Sequence, residues 1–304
     1  MLRTLFIHLS ANRRFRAFAE RSPLGRRVAR RFVAGLTIEE ALAAAVEMNR
    51  RGMAVTIDSL GENVATPAEA ESAAAIYHRL LDEISRRDIN ANVSLKLTQM
   101  GLDVDPALAR QLLLKLVTHA ASVNRFVRVD MEGSSYTQTT LDLVHDLHRG
   151  HPNRVGAVIQ SCLRRSEEDV ERLLADGIRI RLCKGAYQEP PEVAFPSKAG
   201  VDANYLRLMK KLLESGLYHG IATHDERMIG ETIQLAKAGN IAPDSFEFQM
   251  LYGIRRDLQQ SLVRQGWRMR VYIPFGTAWY PYFMRRLAER PANLWFVLSN
   301  LLRG

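Results

Sequence analysis

Segments that favour helices and segments that favour strands alternate regularly along this 304-residue chain. The strand-like segments are short and apolar, and glycines and capping residues separate them from the helical segments. Eight strands are predicted, at 53–57, 92–97, 125–131, 155–161, 178–183, 220–223, 246–251 and 268–273. Eight such units at a spacing of about 25–35 residues favour an α/β fold, a (β/α)8 TIM-like barrel with an N-terminal helical extension.

The predicted helices begin at residues that commonly start helices. These starts include Thr37, Thr66, Pro106 and Ser166, and a later helix is predicted at 202–215. A doubly wound sheet is the alternative architecture. It is disfavoured because no Gly-x-Gly-x-x-Gly follows the first strand and no phosphate-binding loop occurs.

Positive charge is concentrated near the N-terminus. Residues 1–31 contain nine arginines and one acid, Glu20, which is +8 of the net charge of +9. The arginines alternate with apolar residues, as in a basic amphipathic helix at an anionic membrane surface. A helical arm packed on the main domain, with its arginines in water, is an equally good interpretation. We expect a basic helical arm at 1–50 and a catalytic barrel at 51–304.

The motifs, apolar runs and cysteines of the sequence indicate which partners and which cellular compartment to expect. No nucleic-acid-binding motif accompanies the basic residues, so no nucleic-acid partner is expected. No apolar run reaches the roughly 18 residues that a membrane helix needs. Cys162 and Cys183 have no metal-type spacing, and they predict free thiols in a reducing cytoplasm.

Polar residues recur where the predicted strands end. They include Lys96, Asp130, Gln160, Arg181, Lys184, Thr223, His224, Gln249 and Tyr272. The carboxyl ends of barrel strands meet at one face, so these side chains predict one shared site. Only Asp130 and His224 could bind a metal, and no metal is expected. The cations and Gly185, where backbone can approach a ligand closely, suit a phosphate-bearing, electron-rich cofactor. Singly, Asp130 could cap a helix and His224 could be an ordinary loop histidine.

The last predicted helix places four functional side chains on one face. Tyr282, Arg285, Arg286 and Glu289 fall at i, i+3, i+4 and i+7. Two guanidiniums can hold a carboxylate bidentately while Glu289 holds one of them and the Tyr282 ring forms an apolar wall. The pattern indicates a small ligand with a carboxylate and a hydrocarbon part. A solvated helix face with one Arg–Glu pair is the alternative.

Six motifs across about 50–300 resemble the flavin-dependent proline dehydrogenase family, in its stand-alone bacterial form. They are Ser94-Leu-Lys96, Val129-Asp130-Met131-Glu132, Arg181-Leu-Cys-Lys184-Gly185-Ala186-Tyr187, Ala222-Thr223-His224, Phe246-Glu-Phe-Gln249-Met-Leu251-Tyr-Gly253 and Tyr282-Phe-Met-Arg285-Arg286-Leu-Ala-Glu289. Two departures from the family pattern are Cys183, where Val is usual, and Asp225, where Asn is common.

The resemblance implies a distorted barrel that holds FAD at its C-terminal face and oxidises L-proline to 1-pyrroline-5-carboxylate. Hydride would pass to the flavin N5, and electrons would then pass to a membrane quinone. Arg181 is implied to lie near N5, where its charge stabilises the reduced flavin. Asp130 is implied to be essential, either by positioning Lys96 or an arginine or by helping to take the amine proton. Contacts with FAD are implied for Met131, Gln160, Arg181, Lys184, Gly185, Ala186, Thr223 and His224.

The resemblance also implies a proline pocket. Lys96, Arg285 and Arg286 would bind the proline carboxylate. The residues implied to enclose the pyrrolidine ring are Tyr187, Leu251, Tyr272 and Tyr282. Glu289 would pair with an arginine and close the site. Because the quinone lies in the membrane, the arm at 1–31 would serve as a peripheral contact with the inner face of the cell membrane.

Two other functions are compatible with the residues. One is a barrel aldolase that forms a Schiff base through Lys96 or Lys184. The other is a non-enzymatic, membrane-surface scaffold whose barrel has lost catalysis, although the intact polar set argues against such decay.

Overall fold

The computed structural model describes residues 30–187 and 189–289, with side chains as far as residue 284. Within this part, eight parallel strands form a closed barrel in chain order. They are β1 Ala54–Ser59, β2 Ala91–Leu95, β3 Val127–Val129, β4 Val155–Gln160, β5 Arg179–Cys183, β6 His219–Ala222, β7 Phe246–Leu251 and β8 Met269–Phe275. The predicted barrel is confirmed. A doubly wound sheet is excluded because β8 pairs with β1 and closes the sheet.

Helices precede β1 and follow each strand of the barrel. They are α1 Ile38–Arg50, α2 Pro67–Arg86, α3 Pro106–Ser122, α4 Thr137–Gly150, α5 Ser166–Ala175, α6 Lys198–Glu214, α7 Glu226–Ala238, α8 Arg256–Arg264 and α9 Trp279–Glu289. Thr37 starts α1 with a capping box that includes Glu40, and the Thr66 side chain caps α2, as predicted. No helix in the described residues is both long enough and apolar enough to cross a membrane.

Two predicted helix starts are wrong in detail. Ser166 does not cap α5, because its hydroxyl donates to the Leu163 carbonyl oxygen at 2.7 Å and the residue is the first of the helix itself. The helix predicted at 202–215 begins earlier, at Lys198. Its cap is Ser197, whose hydroxyl accepts a hydrogen bond from a backbone N–H of the first turn at 3.1 Å.

The strands present alternate residues to two different environments. In β1, Val55 and Ile57 are fully buried in the hydrophobic core beneath the helices. Thr56 and Asp58 alternate with them and are also buried, on the inner side of the barrel. Barrels of this type usually fill their interior with Val, Ile and Leu. Here much of the interior is polar, and the candidate site lies within it.

Helix α1 packs against β1 and β8, at the seam where the barrel closes. Its buried face, which includes Leu42 and Ala45, joins the main hydrophobic core. The buried residues of α9 instead form a separate cluster with Leu60, after β1, and Ile254, after β7. This places α9 beside the C-terminal ends of the strands, which agrees with the distortion that the resemblance implies.

His219 predicts how acid affects stability. Its Nδ1 accepts the Ile180 N–H at 3.0 Å and its Nε2 lies 3.0 Å from the Ser215 hydroxyl. Burial, assisted by the charge of Arg128, lowers the pKa of His219 from 6.5 to about 3. The unfolded chain therefore binds a proton that the folded chain excludes, and stability falls as the pH drops below about 6.5.

We expect the free energy of unfolding to fall by about 2 kcal/mol between pH 6.5 and pH 5 because of His219, at about 1.4 kcal/mol per pH unit. Urea unfolding of the wild type and of His219→Gln at both pH values measures this contribution. An equal loss in the two proteins would show that His219 is not the titrating group.

Candidate active site

Asp130, which directly follows β3, is the centre of a hydrogen-bonded cluster inside the barrel. Its carboxylate accepts hydrogen bonds from Ser94 Oγ at 2.6 Å, Arg181 Nη1 at 2.6 Å and Tyr272 Oη at 2.8 Å. These partners come from β2, β5 and β8, so the contacts cross the interior of the barrel. Asp130 is therefore in direct contact with Arg181, one of the partners that the sequence left open.

Arg181 is held from two sides and keeps one nitrogen free. Its Nε donates to Gln249 Oε1 at 2.6 Å, and its guanidinium lies 5.2 Å from the centre of the Tyr272 ring. The residue is only 6% exposed. Within the described residues, the buried Nη2 of Arg181 has no hydrogen-bond partner. Leaving such a donor unsatisfied is costly, which indicates that a ligand accepts a hydrogen bond there.

Lys96 pairs with Asp58 rather than with Asp130. Its Nζ lies 3.4 Å from Asp58 Oδ2, and the phenol of Tyr77 lies 3.2 Å from the other carboxylate oxygen. Burial alone would lower the pKa of Lys96, but the charges of Asp58 and Asp130 outweigh it and raise the pKa above its ordinary value. Lys96 therefore remains a cation. A Schiff-base aldolase needs a neutral lysine amine, so this site does not favour that chemistry.

Two carboxylates hold the Lys184 amine. Its Nζ lies 2.6 Å from Asp202 Oδ1 and 2.8 Å from Asp225 Oδ2. Asp202 binds Lys198 as well, on the first turn of α6. The two ion pairs fix Lys184 directly after β5.

Of the two departures from the family pattern, Asp225 has a structural role, and nothing in the structure explains Cys183. Asp225 caps α7 by accepting the Arg227 N–H at 3.1 Å while it binds Lys184. Cys183 and Cys162 are both free thiols. Burial raises the pKa of Cys162 to about 11 and that of Cys183 to about 12, so neither is a reactive thiolate near neutral pH.

Gly185 leaves the backbone open to a ligand. Its φ of +101° favours glycine, and a Cβ there would lie 2.3 Å from Cys162 Sγ and 3.2 Å from Gln160 Oε1. Gly185 and Ala186 are exposed. Gln160, at the end of β4, donates to the carbonyl oxygen of Glu132 at 2.9 Å. A residue with a Cβ at 185 would collide with the Cys162 sulfur.

Thr223 and His224 follow β6 and line the next part of the rim. The Thr223 hydroxyl accepts the Asp225 N–H at 3.1 Å, and His224 Nε2 accepts the Leu251 N–H at 2.9 Å. Because this nitrogen is an acceptor, His224 is uncharged in this arrangement. No three His, Cys, Asp or Glu side chains are grouped as metal ligands in the described part of the chain.

Two of the predicted aromatic residues, Tyr272 and Tyr187, lie near these charged groups. Burial, followed by the charges of Asp130 and Asp58, raises the pKa of Tyr272 well above its ordinary value. Tyr272 is therefore a neutral donor to Asp130. Tyr187 lies close enough to Lys96 to affect its pKa, and Tyr282 is buried in the cluster formed by α9. Leu251 and Met131 are at least half-buried, directly after or within the strand ends.

The helix predicted at 282–289 is confirmed, since α9 continues to Glu289. The side chains of Arg285, Arg286 and Glu289 lie outside the described residues. Most of the arm at 1–31 also lies outside them. What the sequence predicts for these side chains and for the arm stays a prediction.

The sequence-based set omitted Asp58, Tyr77 and Gln99. Tyr77 Oη lies 3.0 Å from Gln99 Oε1 and contacts Asp58, so the three side chains form a buried group beside Lys96. A signal for Asp58 was present, because it alternates with Thr56 at the end of the first strand. Tyr77, on a helix, and Gln99, in a loop, have no comparable pattern.

Comparisons with known proteins identify the family of the chain. The sequence profile of the proline dehydrogenase family matches residues 41–298. Proline dehydrogenase 1 of Bacillus subtilis (strain 168) is 43% identical over 304 residues, which is 100% of both chains. Proline dehydrogenase of Deinococcus radiodurans is 42% identical over 286 residues, or 91% of both chains.

The chain belongs to the proline dehydrogenase family. It is therefore an oxidoreductase, and the predicted family, fold and enzyme class are confirmed.

A solved structure of the family shows the same fold. Proline utilization A from Bdellovibrio bacteriovorus, inactivated by N-propargylglycine, has a TM-score of 0.81 and 27% identity over 86% of this chain. The match covers 32% of that solved chain, so the present chain spans about a third of its length.

The ion pair between Asp130 and Arg181 predicts a large stability effect. In Asp130→Asn, Arg181 would be a buried cation without a carboxylate, and we expect a loss of about 3–5 kcal/mol in the free energy of unfolding. Ser94→Ala, the matched control, removes one hydrogen bond to the same carboxylate and a longer one, of 3.2 Å, that Ser94 accepts from Arg181, and is expected to cost about 1–2 kcal/mol. Chemical denaturation measures both variants. Similar losses in the two would contradict a buried ion pair.

Proposed function

We propose that this protein oxidises L-proline to 1-pyrroline-5-carboxylate with FAD as its cofactor and a membrane quinone as the final electron acceptor. Membership of the proline dehydrogenase family supports the reaction. The observation that best supports the site is Arg181, a buried cation held by Asp130 and Gln249 with one donor nitrogen free.

The residues at the barrel mouth fit a flavin. The free Nη2 of Arg181 can donate to an electron-rich ring, and the exposed backbone at Gly185 allows close approach of a bulky ligand. The residues proposed to hold FAD are Met131, Gln160, Arg181, Lys184, Gly185, Ala186, Thr223 and His224. When bound, FAD supplies the acceptor for the hydride that leaves the ring carbon beside the proline nitrogen.

Asp130 and Gln249 orient Arg181 before any ligand binds. Each accepts a hydrogen bond of 2.6 Å from a different nitrogen of the guanidinium. A preoriented charge in a buried site stabilises negative charge more strongly than a mobile one in water. We therefore assign Asp130 to the positioning of Arg181 rather than of Lys96.

Lys96 is proposed to bind the proline carboxylate together with Arg285 and Arg286. Its raised pKa keeps it protonated, and Asp58 forms an ion pair with it. Binding the carboxylate away from the reacting bond uses binding energy to orient the ring. Tyr187, Leu251, Tyr272 and Tyr282 are proposed to enclose the ring. Glu289 is proposed to pair with an arginine at the edge of the site.

Addition of L-proline to the purified holoenzyme without oxygen tests the proposal. We expect a yellow protein whose visible flavin absorption is bleached by L-proline. In Arg286→Lys, which loses the planar fork, the proline concentration for half-bleaching should rise at least about tenfold with flavin retained. Arg110→Lys, on the outer helix α3, is the matched control. A colourless protein, or one that proline does not bleach, would refute the proposed function.

Residues 1–31 are proposed to bring the enzyme to the membrane that contains the quinone. Their charge of +8 suits anionic lipid headgroups. We expect deletion of 1–31 to weaken binding to anionic vesicles at least about tenfold while activity with a soluble dye acceptor is kept. Sedimentation with vesicles measures the binding, and unchanged affinity would refute a membrane role for the arm.

A further inference from the structure

A second cavity lies at the opposite end of the barrel, where the strands begin. Its volume is about 500 Å³. Five arginines line it, namely Arg125, Arg128, Arg154, Arg179 and Arg270. The lining contains one carboxylate, Glu247, so five positive charges and one negative charge leave a net of four positive charges.

Both carboxylate oxygens of Glu247 are already occupied by hydrogen-bond donors. Its Oε1 accepts hydrogen bonds from Arg270 Nε and Gln249 Nε2, each at 2.6 Å. Its Oε2 accepts from the Tyr218 hydroxyl at 2.8 Å. Arg125 has one weak partner, the fully exposed Asp88 at 3.4 Å. The positive charge of the cavity is therefore mostly uncompensated within the described residues.

Arg128 is built into the wall of the cavity and is only 4% exposed. Its Nη1 donates to the carbonyl oxygens of Ala157 at 2.9 Å and Arg179 at 2.5 Å, while its buried Nε has no partner in the described part of the chain. Burial, followed by the charge of Arg181, lowers the pKa of Arg128 well below its ordinary value. A Cβ at Gly156 would lie 2.7 Å from Arg128 Nη1, so glycine at this position makes room for the guanidinium.

Arg179 faces the same cavity, and its guanidinium makes no hydrogen bond with the residues that the structure describes. Its guanidinium lies 5.6 Å from the centres of both the Phe126 and the Tyr218 rings. No carboxylate of the described residues forms an ion pair with it. Stacking uses the faces of a guanidinium and leaves its N–H groups available for an anion.

We propose that this cavity binds a small polyanion that contains phosphate groups. The cationic donors come from the beginnings of several strands, so they surround the opening from different directions. A tetrahedral phosphate group accepts hydrogen bonds from several directions, whereas a carboxylate accepts them in one plane. All the lining cations are arginines, whose forked donors match phosphate oxygens. The site lies at the other end of the barrel from the proposed proline pocket, and the two ligands would not compete.

Calorimetric titration of the full-length holoenzyme with inorganic pyrophosphate, at constant ionic strength, tests this inference. Arg179→Gln removes a lining cation without unpairing a described carboxylate, and we expect affinity to fall at least about tenfold. Arg154→Gln, at the edge of the same cavity, is a second variant should the first fail to fold. Arg268→Gln is the matched control. It removes a guanidinium that also lies 5.6 Å from the Tyr218 ring centre but does not line the cavity.

The expected result is saturable binding to the wild type and the control, and weaker binding to both cavity variants. Pyrophosphate that produces no more heat than matched sodium chloride would overturn the proposal. Equal affinity in Arg179→Gln or Arg154→Gln and in the control would place the anion elsewhere, for example at the arginine pair of α9. Binding of citrate in place of pyrophosphate would overturn the assignment to phosphate.

Discussion

The buried ion pair between Asp130 and Arg181 organises the interior of this barrel. Removing two charges from water costs several kcal/mol per ion, and the cost is offset only when geometry is good and the remaining donors and acceptors are satisfied. Here Ser94, Tyr272 and Gln249 supply the additional hydrogen bonds. The exception, Arg181 Nη2, lies in the candidate site. A core of Leu and Val would fill the same space at lower cost, so the polar interior indicates function rather than stability.

The hydrogen bonds continue from this ion pair towards the other end of the barrel. Arg181 donates to Gln249, Gln249 donates to Glu247, and Arg270 donates to the same Glu247 oxygen. Glu247 and Arg270 line the arginine-rich cavity. A continuous chain of hydrogen bonds thus connects the two candidate binding sites.

The position of two helices explains how the active end stays accessible to a ligand. Helix α1 packs against β1 and β8, where the helix after β8 would otherwise lie in a regular barrel. Helix α9 contacts residues that follow β1 and β7 instead. Tyr282 and the backbone at 285–289 are thereby brought to the same end of the barrel as Lys96 and Arg181.

Much of this molecule could be predicted from the sequence alone. The alternation of apolar strands with capped helices determined the number and order of the strands, because local periodicity and capping act within one segment. The polar strand ends predicted which residues would gather at one end of the barrel, since parallel barrel strands all end at one face. Only the tertiary structure decided the partners within that site. Lys96 pairs with Asp58, and Asp130 pairs with Arg181, because strand register and side-chain reach across the barrel select among several nearby charges. Strand register and side-chain reach depend on the closed sheet, so they cannot be predicted from any single segment of the chain.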